Sequence, residues 1–585
     1  MLARYPRRFF SGAKKLSYAC GTSDIPLSSE TIGGMLRRQA NERPDHPFQV
    51  FYQKGIEYTY KEFDQRVDEI AKGFIALGLQ PGDRVGMYAY NRPEWSLTQY
   101  ACARANLILV NVNPAFQTDD LEYALNKVGI KCLVMQEQFS HSHYVDIVRH
   151  LIPELGADGT TRVNSDLVPA LEHVIVTGSK RHKGMLNFKE LYSIYANRDA
   201  DEMQHREAEA DFEAPVNIQF TSGTTGFPKG ATLTHHNLIN NALFHGLAAE
   251  NDADTRLCIS VPLYHTMGMG MGNLSMLVHG GTSVYPMEGF TPDISLQAID
   301  KYNCNSVIGV PTMFTYLVKE HKDNPGKYNI ADLSRGVMAG SICSEELLRK
   351  CESILGIDYV SVSYGMSETS PISFQVRRDA PRDKKISTVG TILPHTEGKV
   401  IDDKGFTVPV GQKGEICTRG YLVMDEYFND PEKTAETVTP RGWVLTGDQG
   451  IMDEEGYLEI VGRVKDLIIR GGENVTPKEI ENILLEHPEV QDCQVIGVHD
   501  EVMGEEIMAC IQMDNPNHVL SRTDVYEFLH GHIAHFKIPK YVRIVKEFPL
   551  TVTGKIKKNV MRDEANKILK EVHPDNWEYD HDIYV

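Results

Sequence analysis

The sequence predicts an α/β fold with a β-rich later part and a small α+β unit toward the C-terminus, and three observations lead there. From about Pro26 to Met135 helical patterns alternate with short apolar strands: Phe48-Gln-Val-Phe51, a helix from Tyr60 to Leu77, the turn Gly78-Leu-Gln-Pro-Gly-Asp-Arg84, then strand Val85 to Tyr90. From Gly398 to Ile460 short strands alternate with turns such as Asp402-Asp-Lys-Gly405 and Asp453-Glu-Glu-Gly456. Past Gly462-Arg-Val-Lys-Asp466 the texture changes again, through Leu467 to Val475 into a helix opened by Thr476-Pro-Lys-Glu479. There Thr476 and Glu479 have capping-box spacing and Pro477 suits the first helical position. Helices and strands then alternate to about Asn566, a unit of roughly 100 residues that is large enough for a domain.

A chain of 585 residues is too long for one hydrophobic core. Its uninterrupted apolar runs are all too short to span a bilayer. A formal net charge of −20 disfavours nucleic acid or an acidic membrane surface as the main partner, since either would repel this field. The first twenty residues run against that charge, with Arg4, Arg7, Arg8, Lys14 and Lys15 and no acid before Asp24. Arginine-rich, acid-poor segments of this kind read as a mitochondrial transit peptide, here residues 1–20, with a disordered basic arm or a membrane-surface helix as the alternatives. Ten cysteines without a C-x-x-C pair suit a reducing compartment and buried thiols.

The ten residues Thr221-Ser-Gly-Thr-Thr-Gly-Phe-Pro-Lys-Gly230 carry the strongest chemical signal. Gly223, Gly226 and Gly230 let backbone N–H groups approach an anion, Thr221, Ser222, Thr224 and Thr225 add hydroxyl donors, and Lys229 adds a cation. The loop follows the strand-like Val216-Asn-Ile-Gln-Phe220 and leads through Leu233 to Leu238 into a helical pattern, so the expected order is strand, loop, helix. It is not a P-loop: counted from Gly223, Pro228 stands where the second glycine belongs and Gly230 where the hydroxyl belongs.

Further segments follow in one order: Pro262-Leu-Tyr-His-Thr-Met-Gly268, Ser363-Tyr-Gly-Met-Ser-Glu-Thr369, Trp443-Val-Leu-Thr-Gly-Asp448, Gly462-Arg-Val-Lys-Asp466 and Pro549-Leu-Thr-Val-Thr-Gly-Lys555. Together with the loop, these segments resemble the adenylate-forming acyl-CoA synthetase superfamily over about Pro26 to Lys570. Asn217 to Gly226, Ile468-Ile-Arg-Gly-Gly-Glu-Asn474 and His535-Phe-Lys-Ile-Pro-Lys-Tyr541 are similar to its mitochondrial medium-chain ligase branch.

The resemblance implies a large N-terminal domain (26–464) of two α/β subdomains and a β-rich subdomain, a mobile C-terminal domain (465–570) and a tail (571–585). It implies small-molecule substrates: a fatty acid, ATP and coenzyme A, with Mg²⁺. The residues Thr221, Ser222, Gly223, Thr224, Thr225, Gly226, Phe227, Pro228 and Lys229 would hold the β and γ phosphates, and Glu368 with Thr224 or Thr225 would place Mg²⁺. Tyr364 would stack near adenine, Asp448 would accept from the ribose hydroxyls, and Arg463 would reach the ribose and phosphate region. Lys555 would bridge the attacking carboxylate and the α-phosphate; Lys555, Glu368 and Thr224 form the implied catalytic set. Lys465 is the implied hinge, Asp466 its neighbour, and Gly471 and Gly472 would admit the pantetheine arm of coenzyme A, with Lys537 and Lys540 toward its phosphates. The motif around Lys555 departs from the common pattern at Leu550 and Thr553, the latter keeping a hydroxyl.

For the acyl chain, His265, Met267 and Gly268 open the run Met267-Gly-Met-Gly-Met-Gly272, whose adaptable thioethers and small glycines suit an apolar tunnel; a packed helix start is the alternative. Asn273 stands where a Rossmann fingerprint needs its third glycine, which excludes a dinucleotide site. His530, His532 and His535 do not share a helical face and are not expected to bind a metal. A ligase for aromatic or branched acids and a sensor with lapsed catalysis remain open beside the medium-chain ligase, as does homo-oligomer formation.

Overall fold

Short aliphatic runs separated by amphipathic helices build two large sheets whose cores are parallel. The computed structural model describes residues 15–140, 142–194, 200–221, 228–340, 343–463, 466–470, 473–500, 503–530, 532–533, 535–551, 555–571 and 583–584. In the first sheet the spatial order is Leu186–Asn187, His173–Val176, Ile130–Met135, Arg84–Tyr88, Ile108–Asn111, Pro215–Thr221 and Lys229–Thr234. All neighbours are parallel except the last pair.

The second sheet runs Thr391–Ile392, Ile372–Gln375, Tyr359–Gly365, Arg335–Ala339, Ser306–Gly309, Arg256–Ile259, Thr282–Tyr285, Pro47–Phe51 and Ile56–Thr59, parallel through its middle and antiparallel at both ends. An antiparallel third sheet joins Tyr18–Cys20, Thr396–Ile401, Lys413–Gly420, Val444–Met452 and Leu458–Arg463, the β-rich part expected from the sequence. Past it, Ile468–Arg470, Val490–Asp500, Gly504–Met513 and Tyr541–Ile544 form a further sheet with its own apolar core around Ile468, Val495, Ile507 and Leu529.

Local signals explain the element ends. The helix Tyr60–Ala76 starts at Thr59, whose side chain accepts from Glu62 N–H while Glu62 answers to the Thr59 N–H. The helix Pro477–Leu484 keeps proline at its first turn, but the expected capping box at Thr476 does not form. Glu479 is taken instead by Lys537, whose ammonium lies 2.7 Å from both carboxylate oxygens. A charged partner with two short contacts outcompetes one backbone N–H for the same carboxylate.

One sequence expectation is overturned at the phosphate-type loop. A strand, Lys229–Thr234, intervenes before the helix His235–Ala248, and Thr221 pairs with Lys229 across an antiparallel hairpin. The order is therefore strand, loop, strand, helix. Ala231, Thr232 and Leu233 alternate with the pleat and complete the sheet edge, so the first strand's backbone groups are paired rather than capped by a helix. Residues 222–227, the centre of the loop, lie outside the described residues.

Two sheets packed face to helix leave buried histidines without solvent. His235 accepts the first N–H of helix Ile32–Glu42 on Nδ1 (3.1 Å), and His245 shares a 3.1 Å hydrogen bond with Gln375. Burial pushes both pKa values down to about 4. Their folded values lie below the unfolded one, so the unfolded chain takes up these protons first as pH falls. Stability should be full above about pH 6.5 and fall by about 1.4 kcal/mol per pH unit per histidine down to about pH 4. Urea unfolding at stepped pH measures this, and His245→Gln should flatten the slope; an unaltered slope refutes the assignment.

Candidate functional site

The carboxyl ends of the parallel strands in both large sheets open onto one cleft, the place where an open α/β sheet leaves backbone groups and loops free to meet a ligand. From the second sheet come His265 after Arg256–Ile259, Val310 after Ser306–Gly309, Gly340 after Arg335–Ala339, and Tyr364 and Glu368 at and beyond the end of Tyr359–Gly365. From the first sheet come Asn111 at the end of Ile108–Asn111 and Thr221 with Lys229 at the open end of the hairpin.

Buried amides hold these ends in register. Asn111 Nδ2 donates to the Tyr264 carbonyl at 3.0 Å and Gln219 Nε2 donates to the same oxygen at 2.6 Å. Asn91, which follows the strand Arg84–Tyr88, donates to the Val261 carbonyl and accepts from Leu263 N–H at 2.9 and 2.7 Å. The segment that carries His265 is thus tied from both sides to the first sheet. Burial, with the nearby positive charge of Lys555 adding to it, pushes the His265 pKa down to about 3, so its imidazole is neutral at physiological pH.

Lys555 arrives from the C-terminal unit. Its backbone is tied to Thr551, with Thr551 N–H donating to the Lys555 carbonyl and Lys555 N–H donating to Thr551 Oγ1. Its Cε lies where a Cβ on Gly340 would be 3.4 Å away, so the side chain enters the cleft between Gly340 and His265. Gly340 has a φ of +88° and a tight wall at Val310, two reasons for glycine at that point. Lys478 helps hold the unit there by donating to the Ile460 carbonyl of the β-rich sheet.

Opposite, the Tyr364 hydroxyl donates to Asp448 Oδ2 at 2.8 Å. Asp448 pairs across the strands with Arg463 of the edge strand Leu458–Arg463, and its bond to Tyr364 ties this sheet to the end of Tyr359–Gly365. Nearby, Glu368 is 5% exposed and accepts a 2.6 Å hydrogen bond from Tyr427. Lys229 sits over the Tyr427 ring at 4.0 Å. Burial lowers the Lys229 pKa while the Glu368 charge acts in the opposite direction.

The structure thus brings Lys555 to His265, Tyr364 to Asp448, and Glu368 and Lys229 to the one side chain of Tyr427, while Thr221 pairs with Lys229 in the hairpin. Ser222, Gly223, Thr224, Thr225, Gly226, Phe227, Lys465, Gly471, Gly472 and Thr553 lie outside the described residues. Lys537 and Lys540 do not stand ready for a phosphate here: the first is paired with Glu479 and the second with Asp500 at 2.9 Å. Met267–Leu274 forms a buried π-helix in which Met269 and Met271 are core residues. Sequence reasoning passed over Tyr427, Asn111 and Gln219. A tyrosine between Asp425-Glu426 and Asn429-Asp430 and amides in a strand carry no motif, and only their burial exposes their use.

Residues 36–428 match the AMP-binding enzyme family and residues 479–555 match the AMP-binding enzyme C-terminal domain. The chain is 41% identical over 556 residues to medium-chain acyl-CoA ligase ACSF2, mitochondrial, of Danio rerio, covering 94% of this chain and 91% of that one. It is 37% identical over 560 residues to the Homo sapiens protein of the same name, covering 95% and 90%. Among solved structures, ATP-bound MatB from Rhodopseudomonas palustris is similar with a TM-score of 0.76 and 26% identity, over 92% of this chain and 100% of that one.

A Cβ on Gly268 would sit 2.3 Å from the Pro262 carbonyl oxygen, a backbone atom that cannot step aside. Gly268→Ala should therefore displace the 262–268 segment and its His265, costing about 1–3 kcal/mol as an overpacking change. Thermal or denaturant unfolding checks it; a variant as stable as the parent would show that the helix start is looser than the contact requires.

Proposed function

The chain belongs to the AMP-binding enzyme family, and from that premise we propose that it joins a medium-chain fatty acid to coenzyme A, driven by ATP, through an acyl-AMP intermediate. The observation that carries this reading is the meeting of Lys555, delivered by the C-terminal unit, with His265 and Gly340, the latter at the end of Arg335–Ala339 beside the strand Tyr359–Gly365 that carries Tyr364. A carboxylate and a triphosphate repel each other, so a catalyst must neutralise and position both.

In the first step a carboxylate oxygen attacks the α-phosphorus, the bond from that phosphorus to the bridging oxygen breaks, and pyrophosphate leaves. Lys555 holds the attacking carboxylate against the α-phosphate and offsets their like charges. The neutral His265 flanks the acyl end without adding a competing cation. In this reading Tyr364 receives the adenine, Asp448 exchanges its contact with Tyr364 for the ribose hydroxyls, and Arg463 is assigned to the ribose and phosphate region. The hairpin from Thr221 to Lys229 grips the departing pyrophosphate.

Glu368 fits a Mg²⁺ site: it is a buried anionic oxygen donor, and among the described residues it makes no ion pair. Glu368, with Thr224 as the proposed hydroxyl partner, would hold the ion, which when bound supplies positive charge to the phosphate oxygens. In the second step the thiol sulfur of coenzyme A attacks the acyl carbonyl carbon, the thiol proton is released, and AMP leaves. Lys465 as hinge, Asp466 beside it and Gly471 and Gly472 as the thiol approach complete the proposed cycle, with domains at 26–464 and 465–570. Medium-chain preference and a mitochondrial location are supported by the names of the relatives and by the basic Arg4, Arg7 and Arg8; Tyr18–Cys20 pairs with Thr396–Ile401 in the β-rich sheet, so a leader that is removed would be shorter than residues 1–20.

Lys555→Ala should lower carboxylate-dependent ATP/pyrophosphate exchange by about 100-fold or more, the scale of one lost charge-stabilising group. Exchange that persists in that variant removes the role assigned to the lysine. Across straight-chain, branched and aromatic acids, kcat/KM for thioester formation should peak at medium chain length, each mismatched methylene costing about 1–3 kcal/mol. A peak on ring-bearing acids instead would reassign the substrate.

A further inference from the structure

Tyr427 belongs to none of the segments that carry the chemistry, yet it touches two of them at once. Its side chain is 1% exposed, its hydroxyl donates to Glu368 Oε1 at 2.6 Å, and the Lys229 ammonium lies 4.0 Å from its ring centroid. Its backbone is fixed as well. Tyr427 bridges Ala231 of the hairpin strand, its N–H donates to Thr434 Oγ1 at 2.9 Å, and neighbouring Met424 N–H donates to the Glu368 carbonyl at 2.9 Å.

An aromatic plug that only fills space needs neither a hydroxyl partner nor a charge on its face. Here the electron-rich face meets a cation and the O–H end meets an anion, each as its polarity dictates. Among the described residues Lys229 and Glu368 form no ion pair, although one lies on the face of this side chain and the other at its hydroxyl. A direct pair between them would have to be broken before a phosphate or a metal could take either partner.

We propose that Tyr427 is a positioning residue that keeps the Lys229 cation and the Glu368 carboxylate apart and turned toward opposite partners, a nucleotide phosphate and Mg²⁺. The proposal rests on the ligase reading above for the identity of those partners. The ring offers Lys229 a weak, easily exchanged seat, and through Oε1 the hydroxyl orients the Glu368 carboxylate, the group that would hold the ion.

The test uses the full chain with Tyr427→Phe, which keeps the ring and loses the hydroxyl, and Tyr427→Leu, which loses both. ATP binding is measured by calorimetry with Mg²⁺ and with EDTA, beside the Mg²⁺ dependence of ATP/pyrophosphate exchange. Tyr427→Phe should raise the Mg²⁺ concentration for half-maximal exchange about tenfold, the usual effect of losing a group that orients a metal ligand, with ATP binding in EDTA unchanged within about twofold. Tyr427→Leu should also weaken ATP binding in EDTA as Lys229 falls onto Glu368, and adding Glu368→Gln should restore it. An unshifted Mg²⁺ dependence in Tyr427→Phe overturns the proposal. So does an equal loss in both variants at every Mg²⁺ and ATP concentration in step with a lower Tm. If no acid supports exchange in the parent protein the ligase reading fails, while the calorimetry still decides Tyr427: ATP binding with the same Mg²⁺ response in parent and variants counts against it.

Discussion

The Tyr264 carbonyl oxygen, buried between two sheets, accepts hydrogen bonds from Asn111 and Gln219 on the far side of the interface. Around it the same device recurs. Asn91 clamps Val261 and Leu263, and Asn273 accepts from Gln49 at 2.7 Å while donating to Gln99 at 2.7 Å. A buried amide left unpaired costs about 1–3 kcal/mol, so each such residue permits only the sheet registration that satisfies it. Apolar packing alone would tolerate a slip of the two sheets; these amides do not. Because the strand ends are the cleft, the registration that satisfies Asn111 and Gln219 is also the one that brings His265, Tyr364 and Lys229 to a common space.

The electrostatic problem of the site is solved within that frame by separation. In a chain of net charge −20, a cleft for two anions needs cations that are not already spent on the many nearby carboxylates. Lys537 and Lys540 illustrate the alternative, each drawn to an acid of its own domain. Lys229 sits over the Tyr427 ring, and the C-terminal unit brings Lys555 beside Gly340. The neutral state of His265 belongs to the same economy of charge, since a protonated imidazole beside Lys555 would repel it.

Much of this was legible in the chain. The alternation of helices and strands, the β-rich stretch after Gly398 and the change of texture near Gly462 all rest on local periodicity, and the structure has the α/β sheets, the antiparallel sheet and the C-terminal sheet in that order. The hairpin after Thr221 was misread because Gly230 to Leu233 is too short a run to separate a strand from the approach to a helix; only pairing with Pro215–Thr221 decides it. The capping box at Thr476 failed for a similar reason, since Lys537 is 58 residues from Glu479 and no local rule contains it.

The sequence by itself determined which chemistry is on offer: hydroxyls, glycines and a lysine in one loop, carboxylates at Glu368 and Asp448, a lysine at 555, and an N-terminal basic stretch, because residue type and spacing are local properties. The tertiary structure alone decided which of these groups share a space and what state they are in. The Tyr364 to Asp448 bond spans 84 residues, the Tyr427 to Glu368 bond 59, and the approach of Lys555 to His265 joins two folded units. Such contacts are set by burial and by the exclusion of water from a particular cleft, and those conditions exist only once the sheets have closed on one another.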